Sequence, residues 1–410
     1  MSTISGRHRV TVARLRADAG LRGDDEDVAA RLVIQTLIEP GDAVAGAAIA
    51  VLGAPAFLDA VLRGEGARAL ADRLVERGAD DGGRLIREFT AGLRRWTPRI
   101  DDDAVARSLA QARRMGAVPL VPEDDLWPSG LDALGLHRPV ALWARGRHDA
   151  LGALARSIAL VGARAATPYG EHVAVEAAAG LVERGFAVVS GAAYGIDGAA
   201  HRAALAREGV TIAVLAGGID RFYPAGHEAL LTRISEVGAV LAEVPCGTAP
   251  TKWRFLQRNR MIAAASSATV VVEAGVRSGS LNTAGHVASL SRPLGAVPGP
   301  VTSPASAGCH RLFREYDAVC VTSADEMAEL AGASSVAEDR GSHARSNDEV
   351  RVLDALAVRS ARTVTDIARR SGLAPETVRS VLGHLELGGE VAPEGDGWVR
   401  RPTLADTLRS

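Results

Sequence analysis

From Ser157 onward the chain repeats one pattern. Short apolar runs, "SIALVGAR", "FAVVSGAA", "VTIAVLAGG", "AVLAEVP", "ATVVVEAG" and "PLGAVPGP", alternate with helical stretches such as "GEHVAVEAAAGLVERG" and "DGAAHRAALAREG". A strand that is apolar on both faces must be covered on both sides, which calls for a parallel sheet between layers of helix. The expected fold class is therefore α/β, with a Rossmann-like, doubly wound, mostly parallel sheet over residues 116–331. Ligands of such sheets bind at the carboxyl ends of the strands. That rule locates a site before any motif is read.

The flanks have a different character. Residues 1–115 are rich in Ala, Arg and Leu at helical spacing, as in "DAVLRGEGARALADRLVERG", and read as a helical N-terminal domain. Residues 332–347, "GASSVAEDRGSHARSN" with its neighbours, are small and polar, a linker. Residues 348–402 show a helix through Val350, Leu353 and Leu356, a second near 364–370, a third after Leu373, and a two-strand piece "GGEVAPEGDGWVR", which together suggest a winged helix. The whole chain carries 47 basic and 49 acidic residues, so no global field marks a nucleic-acid binder, and any basic patch must be local. The three cysteines, Cys246, Cys309 and Cys320, are odd in number and lack metal-ligand spacing, which suits a reducing cytoplasm and no metal centre. No secretory signal is evident, and the uncharged run Ala43–Leu58 is too short for a membrane span.

The strand ends carry small residues to one edge. Gly162, Gly191, Gly195, Gly217 and Gly279 leave backbone N–H groups unshielded, and helix N-termini near Asp197 and Leu281 add positive dipole ends. Several such loops converging on one edge describe a phosphate cradle. Asp197 and His201 lie four apart and have two readings, an acid/base pair or a helix cap with a packed histidine. The second is favoured, because no nucleophile is in a recognised arrangement and Ser190-Gly191 is not a G-x-S-x-G elbow. Glu243 and Glu273 end strands without an evident partner. In "TKWRFLQRNR" (251–260), Lys252, Arg254, Arg258 and Arg260 fall among Trp253 and Phe255 with no acid, a mixture suited to single-stranded nucleic acid.

Taken in order, "VGAR", "TPYG", "SGAAYGID", "AHRAAL", "GVTIAVLAGGID", "YP", "EVP", "RNRMI", "VVVEA", "SGSLNTA" and "VPGP" resemble the DprA/Smf family of DNA-processing proteins over about residues 157–321. The resemblance implies a Rossmann-like protein that binds single-stranded DNA, forms a homodimer and helps load RecA during natural transformation, with no catalytic step, cofactor or membrane. By matching position, Arg164, Ser190, Gly191, Lys252, Phe255, Arg258, Asn259, Arg260, Ser278, Gly279 and Ser280 would line the DNA pocket, and Gly195 and Asp197 would shape it. The chain departs from the family pattern at His227, Leu256 and Asn282, none of which removes a cation. The helical N-terminus lacks a clear helix-hairpin-helix glycine pattern. The winged helix holds eight arginines against nine acids over 347–402, with Glu376 and Glu386 beside Arg379 on its third helix, which favours a protein-contact or regulatory role over duplex reading. The competing reading is a nucleotide-processing enzyme similar to the lysine-decarboxylase-like phosphoribohydrolases, but their P-G-G-x-G-T-x-x-E signature ends here on His286 in place of the catalytic glutamate. Leu312, Phe313 and Tyr316 in "HRLFREYDAV" offer a dimer surface or ordinary core packing.

Overall fold

The computed structural model describes residues 3–78, 82–332, 346–358 and 360–401. Two short strands, β1 (Val118–Leu120) and β2 (Leu142–Gly146), precede the expected six: β3 (Ser157–Gly162), β4 (Ala187–Ser190), β5 (Thr211–Leu215), β6 (Ala239–Ala242), β7 (Ala268–Glu273) and β8 (Leu294–Ala296). A two-residue strand, β9 (Val319–Cys320), follows them. All nine form one sheet in the order β1-β2-β6-β5-β4-β3-β7-β8-β9. The pairs from β6 through β9 are parallel, and β1 and β2 add an antiparallel edge. The α/β, mostly parallel architecture is as expected. The antiparallel edge was not foreseen, because "VPL" and "LWARG" are too short to show a period.

The chain divides into two compact units, Met1–Ser335 and Val336–Ser410. The first unit includes both the helical N-terminal segment and the sheet. Asp24, Asp42 and Asp101 cap the helices Asp25–Leu37, Ala43–Leu52 and Asp102–Met115 by accepting from backbone N–H groups of the first turn. The Asp102–Met115 helix ends on Gly116, whose φ of 63° is the left-handed conformation a helix terminus favours in glycine. Side chains of these helices and of the sheet form one apolar cluster, from Val12, Phe57 and Trp96 through to Trp143, Val240 and Ala242. Gln35 crosses that junction. Its amide donates to Ala141 O at 2.9 Å and accepts from Trp143 Nε1 at 2.8 Å.

The uncharged run Ala43–Leu58 is divided between two helices, Ala43–Leu52 and Ala54–Leu62, bent by 114° with buried faces in the core. No single helix among the described residues is long and apolar enough to cross a membrane. The second unit has helices Asn347–Ala355, Val364–Ser371 and Pro375–Leu387 and a hairpin of β10 (Val391–Glu394) and β11 (Gly397–Arg400), around Val352, Ile367, Val378 and Leu382. This is the expected winged helix. The linker expected at 332–347 falls almost wholly outside the described residues.

Arg16, on the first helix, is fully buried and pairs in two-pronged fashion with Asp124, its Nη2 and Nη1 donating at 2.7 and 2.9 Å. Removing one partner of a buried pair strands the other charge away from water. Arg16→Ala is expected to lower stability by about 3–5 kcal/mol, seen as an earlier midpoint in chemical denaturation of the first unit's fluorescence.

Candidate functional site

The chain lays down β3, β4, β5 and β6 outward to one side, then returns to place β7 on the other side of β3. Loops leaving β3 and β7 therefore diverge, and the crevice between them is where doubly wound sheets hold ligands. The register of β3 against β7 shifts between Val161 and Gly162, a bulge that leaves Gly162 paired with Glu273 at the end of both strands. A cavity of about 780 Å³ opens there. Among its lining residues are Arg164, Asp197, Lys252, Phe255, Arg258, Asn259, Ser278, Gly279 and Ser280, so nine of the thirteen residues expected to line or shape the DNA pocket meet around one space.

Arg258 sets the electrostatics. It is buried, donates from Nη1 to Val214 O at 2.6 Å, and lies over Gly191, where a Cβ would overlap the guanidinium. Burial pushes it down to about 10, partly opposed by Asp197 and reinforced by Arg164, so it stays charged at neutral pH. Asp197 is also buried, which raises its carboxyl above the usual range, while Arg258 acts in the opposite sense. Its Oδ2 accepts from the Gly191 and Ala193 N–H groups at 3.2 and 3.3 Å. The Phe255 ring is half-buried. Arg164 stands 4.7 Å from its centroid, Arg258 5.9 Å, and the Tyr223 ring 5.7 Å. Both guanidiniums lie within the range where the ring quadrupole attracts a cation. On the β7 side, Ser278 and Ser280 share a hydroxyl hydrogen bond of 2.7 Å, and Asn259 donates to Asn282 Oδ1 at 3.1 Å.

Four of those thirteen residues do not line the cavity. Ser190 is buried and donates to Leu160 O at 2.6 Å, inside the sheet. Gly191 lies beneath Arg258. Gly195, with φ of 73°, lets the loop pass against the carbonyls of Ala163 and Arg164, where a side chain would collide. Arg260 is the correction of most consequence. It is buried in a two-pronged pair with Glu243, at 2.6 and 2.9 Å, and does not close over the cavity. The cause is periodicity: "TKWRFLQRNR" forms the start of the helix Lys252–Ala265, and positions two apart are turned by about 200°. Arg258 and Arg260 cannot share a face. Arg254 turns away too, onto Glu39 at 3.0 and 3.1 Å.

Both strand-end glutamates have partners that were not foreseen. Glu243 holds Arg260, and Glu273 accepts from the Thr167 N–H and hydroxyl at 2.8 and 2.6 Å at the start of the helix Pro168–Glu183. Among the cavity residues that were missed are an aromatic ring and a cation, Tyr223 and Arg277. Tyr223 stands in the "YP" step of the motif string and Arg277 next to "SGS", so adjacency to recognised loops was the available signal. His227, the departure from the family pattern, is buried, with Nδ1 3.0 Å from Ala192 O. His286 lies outside the cavity lining, and burial with Arg260 nearby holds its imidazole below the ordinary range. Leu312 is buried in the core, with Phe313 and Tyr316 packed partly against it.

Asp197 and His201 are each engaged elsewhere. The Thr211 hydroxyl donates to Val188 O at 2.8 Å, leaving its lone pair to accept from His201 Nδ1 at 2.6 Å. Burial pushes the imidazole down to about 3. On acidification the unfolded chain takes a proton near the ordinary histidine value while the folded chain refuses it, so stability falls as pH falls from the unfolded toward the folded value. From about pH 7 to about pH 5 this one group is expected to remove about 2 kcal/mol. Unfolding curves at both pH values, compared with His201→Asn, should show the variant losing that much less.

Comparison with known proteins identifies the family. The family model described as DNA recombination-mediator protein A matches residues 119–332, and that described as DprA winged helix domain matches residues 336–397. The chain is 47% identical over 352 residues to a putative DNA processing protein DprA of Mycobacterium tuberculosis, covering 82% of this chain and 87% of that one. It is 36% identical over 292 residues to protein Smf of Escherichia coli, covering 68% and 77%. The X-ray structure of DNA processing protein A from Streptococcus pneumoniae superposes with a TM-score of 0.55 at 30% identity, covering 73% of this chain and 97% of that one. The chain belongs to the DprA family of DNA-processing recombination mediators.

Proposed function

We propose that the cavity between β3 and β7 holds single-stranded DNA, and that the protein protects the strand and helps load RecA onto it in recombination and natural transformation. On this reading it is a binding protein without a catalytic step, cofactor or metal, working in the cytoplasm as a homodimer. One observation carries the reading: Arg164, Lys252, Arg258 and Arg277 share a single cavity with the rings of Phe255 and Tyr223. Cations suit phosphates and rings suit unpaired bases, whatever their sequence. Asp197 is the only carboxylate among the described lining residues, and backbone N–H groups already occupy it. A general base must have a free lone pair within hydrogen-bond reach of the proton it takes. RecA as partner is supported by the family's description as a recombination mediator, and the dimer by the family resemblance.

Binding isotherms at several salt concentrations test the cavity. Single strands are expected to bind more tightly than duplex with little sequence preference. Arg164→Ala and Lys252→Ala should each weaken binding and flatten the slope of log affinity against log salt by about 0.7. Arg379→Ala, at an exposed position of the winged helix, should change neither. Arg260→Ala should instead cost about 3–5 kcal/mol of stability, because it leaves Glu243 buried without its cation. Duplex binding as tight as single-strand binding, or wild-type slopes in both cavity variants, would overturn the reading.

Incubation with nucleoside monophosphates is expected to release no free base. Release that disappears in Asp197→Asn would establish the phosphoribohydrolase reading in its place.

A further inference from the structure

A second cavity, of about 840 Å³, lies on the same edge of the sheet. One side is made by the turns after β5 and β6, Asp220–Arg221 and Glu243–Thr248. The other is made by residues 35–40 and the helix Asp102–Met115. The segment from Thr248 to Phe255 is the wall between the two cavities. Thr248 and Arg254 line the second, whereas Pro250, Lys252 and Phe255 line the first.

Arg99, Arg107, Arg114, Arg221 and Arg254 line this space against three acids, Glu39, Asp220 and Glu243. The acids already have partners. Glu39 lies 3.0 Å from both Arg99 and Arg254, Glu243 is held by Arg260, and Asp220 accepts from the Gly247 N–H at 2.8 Å. The outer cations are not balanced in this way. Arg114 hydrogen-bonds only the neutral Gln111, and Arg221 has no acidic partner among the described residues. Arg107 meets only an exposed Asp101, at 3.1 Å, a kind of pair that contributes little in water. Ala104, Arg107, Gln111 and Arg114 recur every three or four residues, so a single stripe of the helix faces the cavity.

An ordinary solvated helix would scatter its cations around its outer face. Here they converge from a helix and a strand-end loop on one open cavity that shares a wall with the first. We propose that this second cavity is a phosphate-binding site that continues the path of the single strand past the Thr248–Phe255 wall, with Arg221 and Arg114 as its contacts. The proposal rests on the reading of the first cavity as a single-strand site.

The test uses the full chain and oligonucleotides of about 5 and about 20 nucleotides, the shorter matched to one cavity. Arg221→Ala and Arg114→Ala are expected to leave the melting temperature and short-strand affinity unchanged. Each should weaken long-strand binding and lower its salt slope by about 0.7. Arg164→Ala should weaken both lengths. Wild-type long-strand affinity and slope in both variants, with Arg164→Ala still impaired, would overturn the second site and leave the first standing. Indifference of both lengths to Arg164→Ala would remove the first site, and the proposal with it.

Discussion

A guanidinium can be buried only where carbonyls and carboxylates replace the water it gives up. Val214 O and Asp197 do this for Arg258, and the carboxyl edge of the sheet is shaped around that requirement. Gly191 has no Cβ because the guanidinium lies against it. Ala192 takes a positive φ of 55°, an uncommon conformation for alanine, which carries the loop around so that the N–H groups of Gly191 and Ala193 both reach Asp197. Gly195 then turns the chain under the carbonyls of the β3 loop to start the next helix. The small residues of "SGAAYGID" thus make room for a protein cation as well as for a ligand.

A second set of charges fixes the helix that bears this cation. Arg260 is bound to Glu243 at the end of β6, and Arg254 to Glu39, which Arg99 also reaches. Glu39 and Arg99 belong to the N-terminal helical segment, and Gln35 of that segment grips the backbone of the sheet edge. The N-terminal helices therefore act on the site without lining the first cavity: they hold the orientation of the Lys252–Ala265 helix. The winged helix carries its charges differently, with Arg369 and Arg370 both on Asp366 and Arg379 beside Glu376, all at exposed or half-exposed positions.

Much of this was legible in the sequence. The run of β-rich segments specified the parallel sheet, and the strand-end rule located the cavity without any motif. Nine of the thirteen expected pocket residues line it because loops and helix starts at a switch point have little choice of direction. The sequence was least informative about charges inside a helix. Written as a string, the cations of "TKWRFLQRNR" look like one cluster, yet two face the cavity and two bind acids more than sixteen or two hundred residues away in sequence, at Glu243 and Glu39. No local pattern marks those acids. Ion-pair partners across a fold are set by packing, which periodicity does not record. The antiparallel strands β1 and β2 were missed for a related reason, since three and five residues are too few to display alternation.

The division of labour along the Lys252–Ala265 helix has a consequence for how such a chain can change over evolutionary time. The length of the loop leading to the helix does not alter which of the helix's side chains share a face. Within the first three turns the opposite holds. A single inserted or deleted residue would turn everything beyond it by about 100°, pulling Arg258 off its carbonyl and Arg260 off Glu243 together. Both ends of that damage are buried charges, so no neutral intermediate connects one register to the next. Substitutions there can accumulate one at a time, but changes of length are closed to this segment.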